Sequence, residues 1–281
     1  MLRKRVIVCL DVRDGRVVRD PGTDEVQDAG APAELAWRYE AEGADEILLW
    51  DTSSSAEGRA ALLEQVGEAS ARLTVPLIVG GGMNDASDMA QVLRAGAAKV
   101  SINTAAVTRP ELVTEAAERF GSSAVVVSID ARVERRQIEL MSHAEGPATA
   151  TGAAAPATWF RVFTHSRRNA TELDAVEWAR RCAELGAGEI LITSIDQHGH
   201  RRGYDLELTA RVAEAVPIPV IASGGAGEAQ HLRDAFLLAG ADAALLAGMV
   251  HDGATGIATL KDFLADAGVP VRRGPADLPR P

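Results

Sequence analysis

The sequence predicts an α/β fold of the (β/α)8 TIM-barrel class, built from a half-barrel that is duplicated within the chain. Three observations lead there. Eight apolar runs of strand length alternate with helical stretches between residues 5 and 267. The stretch 75–107 returns at 218–250, and the spacing from Gly82 to Gly225 matches that from Gly96 to Gly240 to within one residue. The strand runs end in carboxylates or glycine turns, at the rim where barrels carry their ligands.

Each element can be justified in order. Residues 5–11 (RVIVCLD) read as a buried strand ending in a carboxylate. Residues 12–31 are rich in Asp, Gly and Pro and lack periodicity, so a long mobile loop beside the site is expected. A helix over 32–42 opens with Pro32 and closes at Gly43. Strand two is 46–51 (EILLWD) and helix two 58–71. Strand three, 75–79, runs into Gly80, Gly81 and Gly82, where backbone N–H groups can approach a ligand with no Cβ in the way. Asp85 caps helix three, which ends near Ala95 and Gly96. Strand four, 99–102, delivers Asn103 and Thr104, and helix four covers 110–120.

The second half restarts at 124–130 (AVVVSID). An irregular insertion, about 132–169, follows. Its centre, 146–157, is low in complexity, and its flanks 137–141 and 158–164 can pair as a hairpin. Helix five is 171–185, strand six 189–193 and helix six 206–216. Strand seven leads into Ser223, Gly224 and Gly225, and helix seven, strand eight at 243–247 and a helix at 257–267 complete the set. The offset between matching landmarks grows by roughly two dozen residues between Asp130 and Glu189, which locates the insertion. The expectation is one barrel domain over 1–273, with halves 1–121 and 122–273, and a disordered tail at 274–281.

Composition excludes several function classes. The 281 residues are 47% hydrophobic, ample for one large core, and the net charge of −11 leaves no basic stripe for nucleic acid. No apolar run reaches the ~20 residues of a membrane span, and the start MLRKRVIVCLDV lacks a signal-peptide pattern. Cys9 and Cys182 suggest neither a disulfide nor a metal site, so a cytoplasmic location is expected.

Asp11 and Asp130 end strands one and five, on opposite sides of an eight-stranded ring. Two carboxylates facing each other suit general acid and general base roles. Each could instead cap a loop, but their relation by the duplication favours chemistry. The glycine turns at Gly80–Gly82 and Ser223–Gly225, with Asn103, Thr104, Ala247 and Gly248, read as two phosphate cradles for a substrate phosphorylated at both ends. Asp51, ending strand two, and Asp196, following strand six, complete the substrate side. Arg5, Glu46, Lys99 and Glu189 stand at strand starts and would ring the axis at the opposite end. Stabilising salt bridges and a gate both fit that ring. His198 and His200 flank Gly199 at a spacing two zinc ligands can use, but no third His or Cys ligand ends another strand, so no metal is expected. His143, His231 and His251 read as ordinary surface residues.

Taken together, RVIVCLDVRDGRVV, VGGGMND, KVSINTAAV, VVVSIDA, GAGEILITSID, GYD, VIASGGAG and GADAALLA are specific. Over nearly its full length the chain resembles the cyclase subunit family of imidazole glycerol phosphate synthase, in histidine biosynthesis. The resemblance implies a cofactor-free lyase. It takes a phosphoribulosyl formimino carboxamide nucleotide and ammonia to imidazole glycerol phosphate and an aminoimidazole carboxamide ribotide. It implies Asp11 and Asp130 as the acid/base pair, with Gly82, Asn103 and Thr104 at one phosphate. Gly199, Gly225, Ala247 and Gly248 would hold the other. It also implies a glutaminase docked at the barrel bottom, feeding ammonia through a gate of Arg5, Glu46, Lys99 and Glu189.

The chain departs from the family pattern in two loops. The mobile-loop lysine is Arg19, still cationic but planar and bulkier, followed by an altered segment at 20–27. After Asp196, where the family has Arg-Asp-Gly-Thr-Lys, stands Gln197-His198-Gly199-His200-Arg201, so an imidazole that titrates near neutrality replaces a carboxylate. Gly248 replaces the usual serine, and the excursion at 146–157 is longer than usual. These departures fit a paralogue using the same cyclisation on another phosphorylated substrate. A sugar-isomerising barrel and a non-catalytic glutaminase scaffold are the remaining alternatives.

Overall fold

The computed structural model describes residues 2–19, 27–53, 55–135, 158–253 and 255–274. Eight parallel strands form the barrel: β1 (Arg5–Arg13), β2 (Glu46–Asp51), β3 (Leu77–Gly80), β4 (Lys99–Ile102), β5 (Val125–Arg135), β6 (Glu189–Ser194), β7 (Val220–Ser223) and β8 (Ala243–Leu246). Each pairs with its successor, and β8 pairs back onto β1 with Arg5 opposite Ala243, so the sheet closes. Closure removes the edges that an open sheet would expose.

Period-two alternation divides every strand between two cores. On β1, Val6, Val8, Leu10 and Val12 face the helices and join the large outer core. Ile7 and Cys9 face the axis, where they meet Leu48, Ile78, Val126, Leu191 and Ile221. Following the same alternation, Asp11 continues the inward row at the carboxyl end of β1 and Arg5 begins it at the amino end. On β5 the inward row is Val126, Ser128 and Asp130; on β2, β4 and β6 it starts at Glu46, Lys99 and Glu189. Alternation thus sends four charges to one end of the axis and two aspartates to the other.

The helices follow the expected order, with caps that explain their starts. Ser55 accepts from Gly58 N ahead of the helix Ala56–Ser70, and Asp85 accepts from Ser87 N and Asp88 N ahead of Ala86–Arg94. Asp174 does the same for Ala175–Glu184, accepting from Val176 N and Glu177 N. That cap corrects the expected start at residue 171, because Thr171 to Asp174 close a strand, Asn169–Asp174. No helix among the described residues is long and apolar enough to cross a membrane.

Two further expectations are corrected. Residues 12–31 are not a structureless loop, since β1 runs on to Arg13 and turns at Asp14 and Gly15, both at positive φ. It then pairs with Arg16–Arg19, which pairs with Gln27–Gly30. The Asp-Gly dipeptide between valine-rich flanks is a hairpin signal in its own right. The strand Thr158–Thr164 pairs with Asp130–Arg135 of β5 and then with Asn169–Asp174. The two halves therefore carry matching antiparallel ribbons after β1 and β5. The expected strand at 137–141, the excursion at 146–157, His143, residues 20–26 and the tail from 275 lie outside the described residues.

Candidate active site

The carboxyl ends of the strands bring the predicted residues to one rim. Asp130 is 6% exposed, Asn103 Nδ2 donates to its Oδ2 at 2.9 Å, and Arg167 Nε stands 3.7 Å from its Oδ1. Burial pushes its carboxyl above the usual range, opposed by Arg167 and the Asn103 amide. Asp11 sits half-buried at the matching level of β1, paired in register with Trp50 of β2. In the strand order β1 and β5 lie diametrically opposite, so the two carboxylates face one mouth.

The first glycine cradle is shaped by Asp51. Its carboxylate, only 2% exposed, accepts from Ser53 N at 2.9 Å and from Arg59 Nη1 at 3.2 Å. Arg59 Nη1 also donates to Gly81 O at 3.2 Å, while its Nη2 is buried with no hydrogen-bond partner among the described residues. Gly81 is obligatory, since at φ +89° its Cβ would lie 2.1 Å from Asp51 O. Beside it Gly82 opens on space, with nothing nearer than 3.7 Å. Asn103 and Thr104 begin the short helix Thr104–Thr108, and Thr104 Oγ1 accepts from His165 N at 2.9 Å.

The second cradle repeats the first. Gly224 and Gly225 share the left-handed backbone of Gly81 and Gly82. Asn103 (φ −126°, ψ −83°) and Ala247 (φ −139°, ψ −99°) adopt the same rare conformation at the head of their short helices, Thr104–Thr108 and Gly248–His251. Gly203 N donates to Gly225 O at 2.8 Å, and Ser223 leads into the turn from the end of β7. Arg201 lies over Gly248 and pairs with Asp252. Gly199 takes φ +80° in an open part of the preceding loop, and Asp196 accepts from Val133 N at 2.9 Å, with Arg132 3.9 Å away. Asp51 and Asp196 are therefore already engaged with protein groups that fix the rim loops. The Arg19 side chain lies outside the described residues.

Three histidine expectations change. Although His198 is exposed at the rim, the concave mouth strips part of its hydration, and with Arg167 and His200 nearby its pKa is pushed down to about 4. It is therefore neutral at physiological pH rather than poised to titrate there. His231 is a helix-capping group, its Nδ1 accepting from Gly227 N at 3.1 Å. His251 is not a plain surface residue either. Its Nδ1 meets Tyr39 Oη at 2.7 Å and its Nε2 meets Cys9 O at 2.9 Å, which links the outer helices to β1. Among the described residues no three His, Cys, Asp or Glu side chains cluster as metal ligands.

At the opposite end of the axis the four charges form a closed ring. Glu46 contacts Arg5 and, at 2.9 Å, Lys99, while Glu189 meets Arg5 at 2.9 Å and Lys99 at 2.6 Å. Burial works against the Arg5 charge, but Glu189 and Glu46 more than offset it and hold the guanidinium above its usual range. No motif in the sequence points to the rim arginines 59 and 167. Arg59 stands in the first turn of the helix Ala56–Ser70 at a place with no motif, and Arg167 lies inside the irregular insertion.

The family described as "Histidine biosynthesis protein" matches residues 5–256. An imidazole glycerol phosphate synthase subunit HisF from Myxococcus xanthus is 50% identical over 272 residues, covering 97% of this chain and 99% of the relative. The subunit of the same name from Bacillus subtilis is 47% identical over 272 residues, covering 97% and 100%. That from Methanopyrus kandleri is 48% identical over 279 residues, covering 97% and 99%.

Proposed function

The chain belongs to the histidine biosynthesis protein family, and from that premise we infer that it is the cyclase subunit of an imidazole glycerol phosphate synthase, a lyase of histidine biosynthesis. Full-length similarity to relatives of that one name weighs against a paralogue, an isomerising barrel or a scaffold. The observation that carries the mechanism is the pair Asp11 and Asp130, opposite each other on one rim between two matched glycine cradles.

The substrate is a formimino carboxamide nucleotide with a phosphate at each end. One phosphate lies against Gly82, Asn103 and Thr104, the other against Gly199, Ser223, Gly224, Gly225, Ala247 and Gly248. Backbone N–H groups and the starts of the short helices suit anions at both. The two grips stretch the nucleotide across the mouth and put its reacting centre between the aspartates. His198 stands on the rim loop after β6, while Asp51 and Asp196 act through the loops they hold.

Condensing ammonia with the carbonyl protonates the hydroxyl that departs as water. Closing the ring adds that nitrogen to the formimino carbon and takes a proton from it, and breaking the other bond of that carbon to nitrogen puts a proton on the departing amine of the carboxamide ribotide. Asp130 and Asp11 exchange those protons. Their environments differ, one buried beside a guanidinium and an amide, the other more open, which is the condition for unlike acid and base roles.

Ammonia enters from a glutaminase docked on the amino-terminal end of the barrel. The ring of Arg5, Glu46, Lys99 and Glu189 gates the axis there, and the lumen beyond is lined by Ile7, Cys9, Leu48, Ile78 and Val126. Purified protein given the formimino nucleotide and excess ammonium salt should consume it and release both products. A folded protein that leaves the nucleotide unchanged would refute the reading.

A further inference from the structure

Arg167 reaches the active site from an improbable backbone. It belongs to the turn between the strands Thr158–Thr164 and Asn169–Asp174, where His165, Ser166 and Arg167 take φ of +52°, +54° and +70°. Left-handed backbone costs a non-glycine residue roughly 1–2 kcal/mol, so three in succession persist only where surrounding contacts hold them. Those contacts are present. His165 N donates to Thr104 Oγ1 at 2.9 Å, His165 Nδ1 meets Thr164 Oγ1 at 3.0 Å, and Arg168 N donates to Thr164 O at 3.1 Å. A glycine would fit position 167 with less strain, yet an arginine stands there with its guanidinium 3.7 Å from Asp130.

The surroundings leave Arg167 as the charge that answers Asp130. From β4 comes the neutral amide of Asn103; from β6, Thr193 pairs with Asp130 in register; from the ribbon, Phe163 does. Arg132 on β5 pairs with Asp196, and Arg161 on the ribbon pairs with Glu134 and Glu172. Across the mouth lie Asp11 and Cys9 on β1, with His198 and His200 on the loop after β6, and Arg167 is near enough to act on Cys9 and His198 as well.

We propose that Arg167 is a positioning residue for the cyclisation, pairing with Asp130 from this turn so that the buried carboxylate is oriented, and its charge partly compensated, before substrate arrives. The role rests on the cyclase reading above; the pair itself does not. It follows that a group outside the strand-end motifs offsets part of the burial that acts on one of the two working carboxylates.

The test uses Arg167→Gly, which removes the charge while easing the backbone, and Arg167→Lys, which restores a cation. Carbon-13 labelling of aspartate carboxyls, with Asp130→Asn for assignment, follows Asp130 in the unliganded protein. In Arg167→Gly its titration should move up by about one pH unit, as expected for loss of an opposite charge within ~4 Å, and Arg167→Lys should return most of the change. The limb of the kcat/KM profile for ammonia-driven turnover that Asp130 controls should move in parallel. An Asp130 titration that coincides in wild type and Arg167→Gly would overturn the pair. A moved titration with an unmoved kinetic limb would overturn the role in the reaction. Failure of the wild type to turn over the nucleotide would instead refute the cyclase reading, and the carboxyl titration would still decide the pair.

Discussion

Asn103 donates its side-chain amide to Asp130 at 2.9 Å, so a residue expected at a phosphate is bonded to the carboxylate expected to move a proton. Asn103 Oδ1 is buried with no hydrogen-bond partner among the described residues, and its backbone opens the short helix at the first cradle. Under the proposed function, binding of one substrate end is thereby tied to the charge at the reacting centre. Asn103→Ala should raise KM and move the limb that Asp130 controls toward higher pH. A hydrogen bond to a charged group contributes roughly 1.5–3 kcal/mol, so kcat/KM below that limb should fall tenfold or more. Steady-state kinetics across pH would check both changes.

Asp130 should also cost the protein stability. Its folded-state carboxyl is raised by burial, so the native state holds the proton more tightly than the unfolded chain. The sign follows: Asp130's own contribution is most favourable at low pH and is lost as pH rises from the unfolded value through the native one. Asp130→Asn removes that dependence. Its melting temperature should exceed the wild type's at pH 8, and the gain should vanish as pH approaches about 4, the ordinary aspartate range. Thermal denaturation at several pH values reads this directly.

The ring at the opposite end makes a separate prediction. Glu46 is 4% exposed in its side chain and touches both Arg5 and Lys99. Glu46→Gln leaves both cations to Glu189, and breaking a buried pair this way costs about 3–5 kcal/mol. In a complex with the glutaminase, the variant should yield less product per glutamine hydrolysed, while turnover on added ammonium salt stays near wild type among the molecules that remain folded. Chemical denaturation and the two assays separate the effects.

Two adjacent glycines should respond differently. Gly81→Ala drives a Cβ to 2.1 Å from Asp51 O, so the β2 and β3 ends must part and the fold should suffer severely. Gly82→Ala meets only atoms at 3.7 Å and should cost about 1–2 kcal/mol for its left-handed backbone. Its methyl group would nevertheless stand in the open cradle and raise KM. Melting curves and KM values for both variants would test the contrast.

The barrel was legible because its signals are local and periodic. Alternating apolar residues placed Asp11, Asp130 and the four bottom charges on inward rows, and the repeat paired Gly82 with Gly225. The ribbons after β1 and β5 are harder to read, since Asp14-Gly15 sits in a stretch without periodicity and a long segment separates residues 158–164 from their partner on β5. Arg59 and Arg167 were invisible for a different reason. Their contacts to Asp51 and Asp130 cross between elements, and no spacing in the chain encodes them. The His198 environment also depends on a mouth that exists only once the barrel closes.

The most direct test of the account is ammonia-driven turnover of the formimino nucleotide by the wild type beside Asp11→Asn and Asp130→Asn, each shown to be folded. Positioned acid/base groups contribute about 10²- to 10⁴-fold, so the wild type should form both products and each variant should lose at least about a hundredfold in kcat. Wild-type turnover matched by either folded variant would remove that aspartate from the mechanism and contradict the two-carboxylate account.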